Sequence, residues 1–268
     1  VGEGESQAAA ANKYTFGDSL RASARLRRLA EMYEPESREL LRRSGINAPR
    51  LALDLGCGPG WSTRLLQDVL KPDRTVGLDA SAVFVEEART RHDAALEFEV
   101  HDIVRVPFPA GAPNVMFCRF LLTHLRSLGD VLAGWAGAAA PGGLLVVHET
   151  ESLEANHEAL RFYYRLLEQL QRHHGQALHV GAVLEAGFAG SGWRLVENQR
   201  RLLEKPAGDM AELHLANLRT WRDDEYAQRA FDSDEIDALE ESLERIASGR
   251  EDGGIVVNAA RQIIAQRA

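Results

Sequence analysis

The stretch Leu51-Ala52-Leu53-Asp54-Leu55-Gly56-Cys57-Gly58-Pro59-Gly60, followed by Trp61-Ser62-Thr63-Arg64-Leu65-Leu66, decides the fold. A short apolar run with one carboxylate meets glycine at every second position, and a helical pattern follows at once. This reads as strand, tight turn and helix. Glycine lets the turn take positive φ and lets a ligand approach the backbone without a Cβ in the way. The new helix aims its free N–H groups into the same crevice.

Outward from the turn, strand and helix alternate. Helix 61–70 leads to a strand at Thr75-Val76-Gly77-Leu78-Asp79, and Ser81 caps a helix to about Arg91. Further strands are read at 96–101, 113–118 and 144–148, with an Ala-rich helix at 128–139 that stops at Pro141-Gly142-Gly143. Such alternation means βαβ units, a parallel sheet and right-handed crossovers. After Glu149 the order changes: helices at 154–174 and 178–186, a strand at 193–204, helices at 208–221 and 233–248, and a last strand from Gly253-Gly254-Ile255 to about Ile264. Before the turn, Ala22, Leu26, Leu29, Ala30 and Tyr33 form one helical stripe, and Pro35 opens a second helix that ends at Gly45.

Composition sets outer bounds. The chain has 268 residues, 45% hydrophobic and 26% charged, which is enough for a sizeable core. A net charge of -9 argues against nucleic acid or an anionic membrane as the main partner. No apolar run is long enough for a membrane span. Two cysteines, Cys57 and Cys118, imply no disulfide framework and a cytoplasmic default, and they read as packing residues. No His, Cys, Asp and Glu spacing suggests a metal; His173-His174 and His179 read as a solvated helix end.

The turn alone fits many nucleotides. A dinucleotide fingerprint needs a third glycine where Trp61 stands, so the ligand reads as a nucleoside without a pyrophosphate. The segments Leu53 to Gly60, Val76-Gly77-Leu78-Asp79, His101-Asp102-Ile103, Cys118-Arg119-Phe120-Leu121-Leu122-Thr123-His124-Leu125 and Pro141-Gly142-Gly143-Leu144 together resemble, in order, a class I S-adenosylmethionine (SAM)-dependent methyltransferase. The likeness covers roughly residues 50–150 and is closest to the small-molecule type, which includes quinone and natural-product enzymes. It implies an α/β, doubly wound, seven-stranded and mostly parallel sheet with the last strand antiparallel. N-terminal lid helices and helical insertions after strands five and six complete it. The parts are a tail at 1–13 and a single domain at 14–268, with a lid at 14–48, a cofactor core at 49–150, strand six with substrate-cap helices at 151–252, and a C-terminal strand at 253–268.

The resemblance also implies roles. Asp79 would accept from the ribose hydroxyls, with Ala80 beside it, and Asp102 from the adenine amine, with the Ile103 backbone at the ring edge. Gly56 and Gly58 would lie under the methionine part, and Asp54 and the Arg119 carbonyl would meet its ammonium. Arg25 would pair with its carboxylate and Tyr14 would close over it; the rival readings are a solvated helix face and a tail residue. His124 reads as the general base or as a structural histidine, with His148 second. Tyr163, Tyr164, His214, Asn217 and Trp221 read as acceptor-site lining or as plain core, and Arg161, Arg165 and Arg219 as carboxylate holders or surface residues. The expected reaction is methyl transfer to O, N or C of a small molecule, with no nucleic acid or membrane partner and an oligomer possible. The alternatives are methylation of protein or RNA, and SAM binding without turnover.

Overall fold

A computed structural model describes residues 20–268. Its frame is a single seven-stranded sheet in the order β3-β2-β1-β4-β5-β7-β6. The strands are β1 (Leu51–Leu55), β2 (Arg74–Asp79), β3 (Leu96–Val100), β4 (Val115–Arg119), β5 (Leu144–Ala155), β6 (Trp193–Pro206) and β7 (Ile255–Arg267). The first five pair in parallel, and β7 lies antiparallel between β5 and β6.

β1 shows why a mostly apolar run makes a central strand. Leu51, Leu53 and Leu55 enter one face with Met116, Leu145 and Trp135. Ala52 enters the other, with Phe117, Val146, Leu65 and Leu66. Both faces are covered, so no polar alternation appears. Helix α4 (Leu128–Ala138) and the short α6 (Leu184–Phe188) pack the first face, while α1 (Leu20–Arg43) and α2 (Trp61–Leu70) pack the second. Helix α3 (Ala82–Arg91) begins where Ser81 Oγ accepts from Phe84 N, and it closes a smaller cluster with Cys57 and Phe98. A separate core is built by α5 (Glu158–His173), α7 (Ala207–Trp221), α8 (Glu225–Ala230) and α9 (Ser233–Ala247), which bury Leu160, Tyr163, Trp221, Ile236 and Leu243 together.

Four expectations need correction. The two N-terminal lid helices are one: α1 runs through Pro35. The ring is exposed, while Tyr33 before it and Ser37, Leu40 and Leu41 after it are buried, so packing on both sides outweighs the lost backbone bond. The helix read from Glu154 starts at Glu158, because β5 continues past a bulge at residues 150–152 and pairs Leu153 with Asn258 and Ala155 with Val256. The helix read at 178–186 is a 3-10 turn (Val180–Ala182) followed by α6, and both join the sheet core instead of the cap. Helix α8 was not foreseen; Asp224 caps it by accepting from Tyr226 N. Among the described residues no helix is long and apolar enough to cross a membrane.

Candidate active site

At the carboxyl ends of β1 and β2 the glycine turn is built by backbone bonds. Gly56 N and Cys57 N both donate to Leu78 O, at 2.8 and 3.0 Å. Gly56 and Gly58 have φ of +68° and +51°, a region in which a side chain is strained. A Cβ on Gly56 would stand 2.6 Å from the Leu121 side chain, whereas one on Gly58 would meet only Leu26 of α1, at 3.4 Å. The floor of the turn is thus bare backbone under α1. Gly58 N donates to Asp79 Oδ2 and Ser81 N to Asp79 Oδ1, both at 2.8 Å, so the carboxylate is aimed from two sides at the end of β2. Asp54 is buried, and its Oδ2 accepts from Ser62 and Thr63; burial nonetheless pushes the carboxyl up to about 6.

Past the end of β3, Asp102 is exposed; it accepts from Val104 N at 3.3 Å and faces Arg105 at 3.5 Å. Ile103 is buried and its carbonyl accepts from Trp135 Nε1 at 2.8 Å. A strand-end pair of carboxylates, a glycine-rich turn and a buried apolar edge suit a nucleoside with a short charged arm.

A second compartment lies beyond β4. The chain leaves this strand through Phe120, whose φ of +52° is strained by about 1–3 kcal/mol. Its N–H donates to His148 O at 3.0 Å, and Tyr33 of α1 meets its ring edge-on at 4.9 Å. The 3-10 turn Leu122–His124 follows. Behind these residues is a cavity of about 110 Å³. One wall is Phe120, Thr123 and His124; α1 adds Arg25, Leu29 and Tyr33. Glu149, Thr150 and Leu153 come from β5, Leu167 and Gln171 from α5, Met210, Leu213, His214 and Asn217 from α7, and Asn258 from β7. Burial lowers the His124 and His214 imidazoles to about 4 and about 3, so both are neutral near pH 7. Burial pushes the Glu149 carboxyl up to about 8, although Leu121 N and Leu122 N donate to its Oε1 at 2.7 and 2.8 Å. Among the described residues no group of three or more His, Cys, Asp or Glu side chains gathers to hold a metal.

Residues 52–143 match the family model of a methyltransferase domain. Over that stretch, about a third of its length, the chain is similar to methyltransferase domains. It is 38% identical over 124 residues to a trans-aconitate 2-methyltransferase of Methylobacterium radiotolerans, a match covering 46% of this chain and 47% of that protein. The chain thus spans about half the length of the curated relatives it matches. Among solved structures, geranyl diphosphate methyltransferase in complex with SAM superposes with a TM-score of 0.54 at 17% identity, covering 95% of this chain and 94% of the other. A cyclopropane synthase from Mycobacterium tuberculosis gives 0.56 at 15% identity, covering 87% and 83%. At such identities the likeness is one of fold.

Within the matched stretch, the foreseen cofactor residues Asp54, Gly56, Gly58, Asp79, Ala80, Asp102 and Ile103 gather along the carboxyl ends of the first three strands. Tyr14 lies outside the described residues. Arg25 is brought to the cavity rather than to a solvated face. The Arg119 side chain turns back under α1 to donate to Ser37 Oγ at 3.1 Å, and burial lowers its pKa. Four residues foreseen at the substrate do not line the cavity. His148 is fully buried and bonds Ser37 Oγ on the α1 side of the sheet, because alternation along β5 sends it away from Glu149. Tyr163, Tyr164 and Trp221 are buried behind the wall. They set the orientation of one that does line it: Tyr164 Oη bonds His214 Nε2 at 2.8 Å, and Tyr163 stacks on the same imidazole at 4.3 Å.

Arg161 and Arg219 are also spent elsewhere, Arg161 on the carbonyls of Ala155 and Asn156 and Arg219 on Glu240 and Glu244. Glu149, Gln171 and Asn258 were not singled out from sequence. A carboxylate directly after the strand Leu144-Leu145-Val146-Val147-His148 was the available signal for Glu149.

Proposed function

We propose that this chain transfers a methyl group from SAM to a small molecule. The observation that carries the reading is the junction at Phe120–His124. One side of that segment presses Leu121 on the glycine turn, and the other forms a cavity wall. Gly56 and Gly58 present no side chains to remove, and Asp79 is already held by two N–H groups, so the cradle fits the cofactor as built. Bound there, SAM supplies an electrophilic methyl group.

The chain's own residues do the rest. Asp79 and Asp102 hold the nucleoside, Gly56 and Gly58 admit the methionine part, and Asp54 and the Arg119 carbonyl receive its ammonium. Helix α1 roofs both compartments, with Leu26 over Gly58 and Arg25 at the cavity. Roofing excludes water and holds the acceptor in line with the methyl group, which supplies most of the rate in such displacements. His124, neutral and in the wall, orients the acceptor by hydrogen bonding. A cavity of about 110 Å³ suits a small molecule better than a polymer. Relatives named for trans-aconitate make that compound the first acceptor to try, within a panel of small hydroxyl, amine and carboxylate compounds. S-Adenosylhomocysteine release with at least one member is expected; SAM binding with no release across the panel would overturn the reading.

A further inference from the structure

We propose that Glu149 takes the proton from the methyl acceptor, and that the group methylated is a hydroxyl on a compact, largely apolar body. This rests on the assignment of the cavity as the acceptor site. The Glu149 side chain is 1% exposed, yet it forms part of the cavity lining. Two backbone N–H groups, those of Leu121 and Leu122, both bond Oε1. They fix the carboxyl plane and leave Oε2 as the oxygen for an acceptor. Those N–H groups belong to the segment that separates the cavity from the glycine turn, so the proton is received beside the place where the methyl group arrives. Apolar side chains make up much of the remaining wall, among them Leu29, Leu153, Leu167, Met210 and Leu213, which calls for an apolar body on the acceptor.

The ionisable groups facing this carboxyl are Arg25 and Tyr33 on α1, Cys118 on β4, His124 on the 3-10 turn and His214 on α7. Burial dominates them, and the carboxyl reaches about 8 against about 4 and about 3 for the two imidazoles. Glu149 is therefore the strongest proton acceptor of the three once ionised, and it is poised near working pH. In the step, the acceptor oxygen forms a bond to the methyl carbon as the carbon–sulfur bond breaks. Sulfur keeps the electron pair, and the hydroxyl proton passes to Oε2 and later to water. A carboxylate acceptor has no proton to give, and ionised Glu149 repels it. The chemistry thus differs from what the relatives' name implies.

The test uses phenol and benzoate, a hydroxyl and a carboxylate on one apolar body, titrated against the full chain from pH 6 to 9. Benzoate affinity is expected to fall about tenfold between pH 7 and 9, as the protonated fraction of a group titrating near 8 falls. Phenol affinity should hold or rise. Glu149→Gln keeps an oxygen for the two N–H groups and should make both profiles flat. With a hydroxyl acceptor it should lower kcat by about 100-fold and leave KM nearly unchanged. A flat benzoate profile in the unmodified chain, a slope that survives in E149Q, or no phenol binding would overturn the proposal. Leu178, in the turn after α5, also lines the cavity, and Leu178→Trp, which fills it, separates the two levels. If it abolishes probe binding while E149Q behaves as the unmodified chain, the proton role fails and the cavity assignment stands. If it leaves probe binding intact, the cavity assignment itself fails.

Discussion

Strands β1 to β4 are five or six residues long, whereas β5, β7 and β6 run to 12, 13 and 14. The short half ends in turns, and the polar groups at its carboxyl edge are backbone N–H groups and strand-end carboxylates that lie close together in sequence. The long half carries a second helical core on its extensions, and its cavity is lined by side chains from five separate elements and two turns. The cradle is made by backbone geometry and the cavity by packing. That difference predicts what each half tolerates. A cradle fails when a Cβ or a charge is changed, and a cavity shifts its selectivity when a side chain is changed.

The largest effect should come from crowding β2 just behind the cradle. A Cβ on Gly77 would lie 2.8 Å from both Phe98 and Thr63 and 2.9 Å from Cys57. Gly77→Val should cost at least about 3 kcal/mol in denaturant unfolding. A loss under 1 kcal/mol would mean that the short half is as yielding as the long one.

Next in size are the opposed pH effects at the seam between the halves. Burial holds His148 and His214 at about 3 and His124 at about 4, against an ordinary 6.5 in the unfolded chain. The unfolded state binds more protons below pH 6.5, so stability should fall as pH drops from 6.5 towards 4, by about 2–3 kcal/mol for each histidine. Glu149 acts in the other direction. Its folded pKa is raised from 4.5 to about 8, so its contribution is full below 4.5 and is lost as pH rises to about 8. Glu149→Gln should remove the alkaline loss, and His148→Gln should make the acid loss shallower. Urea unfolding across pH 4 to 9 measures both slopes.

A smaller effect belongs to the long half alone. Tyr164→Phe removes the 2.8 Å bond to His214 and should cost about 1 kcal/mol. It should raise KM for the acceptor while leaving S-adenosylhomocysteine affinity unchanged. A change in cofactor affinity would show that the two compartments are coupled through α7.

The same contrast explains what was legible in the sequence. Asp54, Gly56, Gly58 and Asp79 could be placed because turn chemistry is local and because a glycine or a strand-end carboxylate has few other uses there. The parallel order of β1 to β5 followed from their spacing. Beyond Glu149, and in α1, local patterns misled. Glu154 opens a plausible helix, yet pairing with β7 holds Leu153 to Ala155 in a strand. Pro35 signals a break, yet buried neighbours on both sides carry α1 through it. Tyr163, Tyr164 and Trp221 mark the helical stripe that faces the cap core, while the cavity is reached by the adjoining stripe, His214 and Asn217 on α7 and Gln171 on α5. Asn258 joins the cavity only through the long antiparallel ladder, where it donates to Tyr33 Oη at 2.9 Å.

The separation of the two compartments is tested most directly by calorimetric titration of S-adenosylhomocysteine into Asp79→Ala and Leu178→Trp side by side. Asp79→Ala should weaken binding by about 10-fold to 100-fold, the loss of a charge-assisted bond pair. Leu178→Trp should bind as the unmodified chain does. Unchanged affinity in Asp79→Ala, or an equal loss in both variants, would contradict a donor cradle built apart from the acceptor cavity.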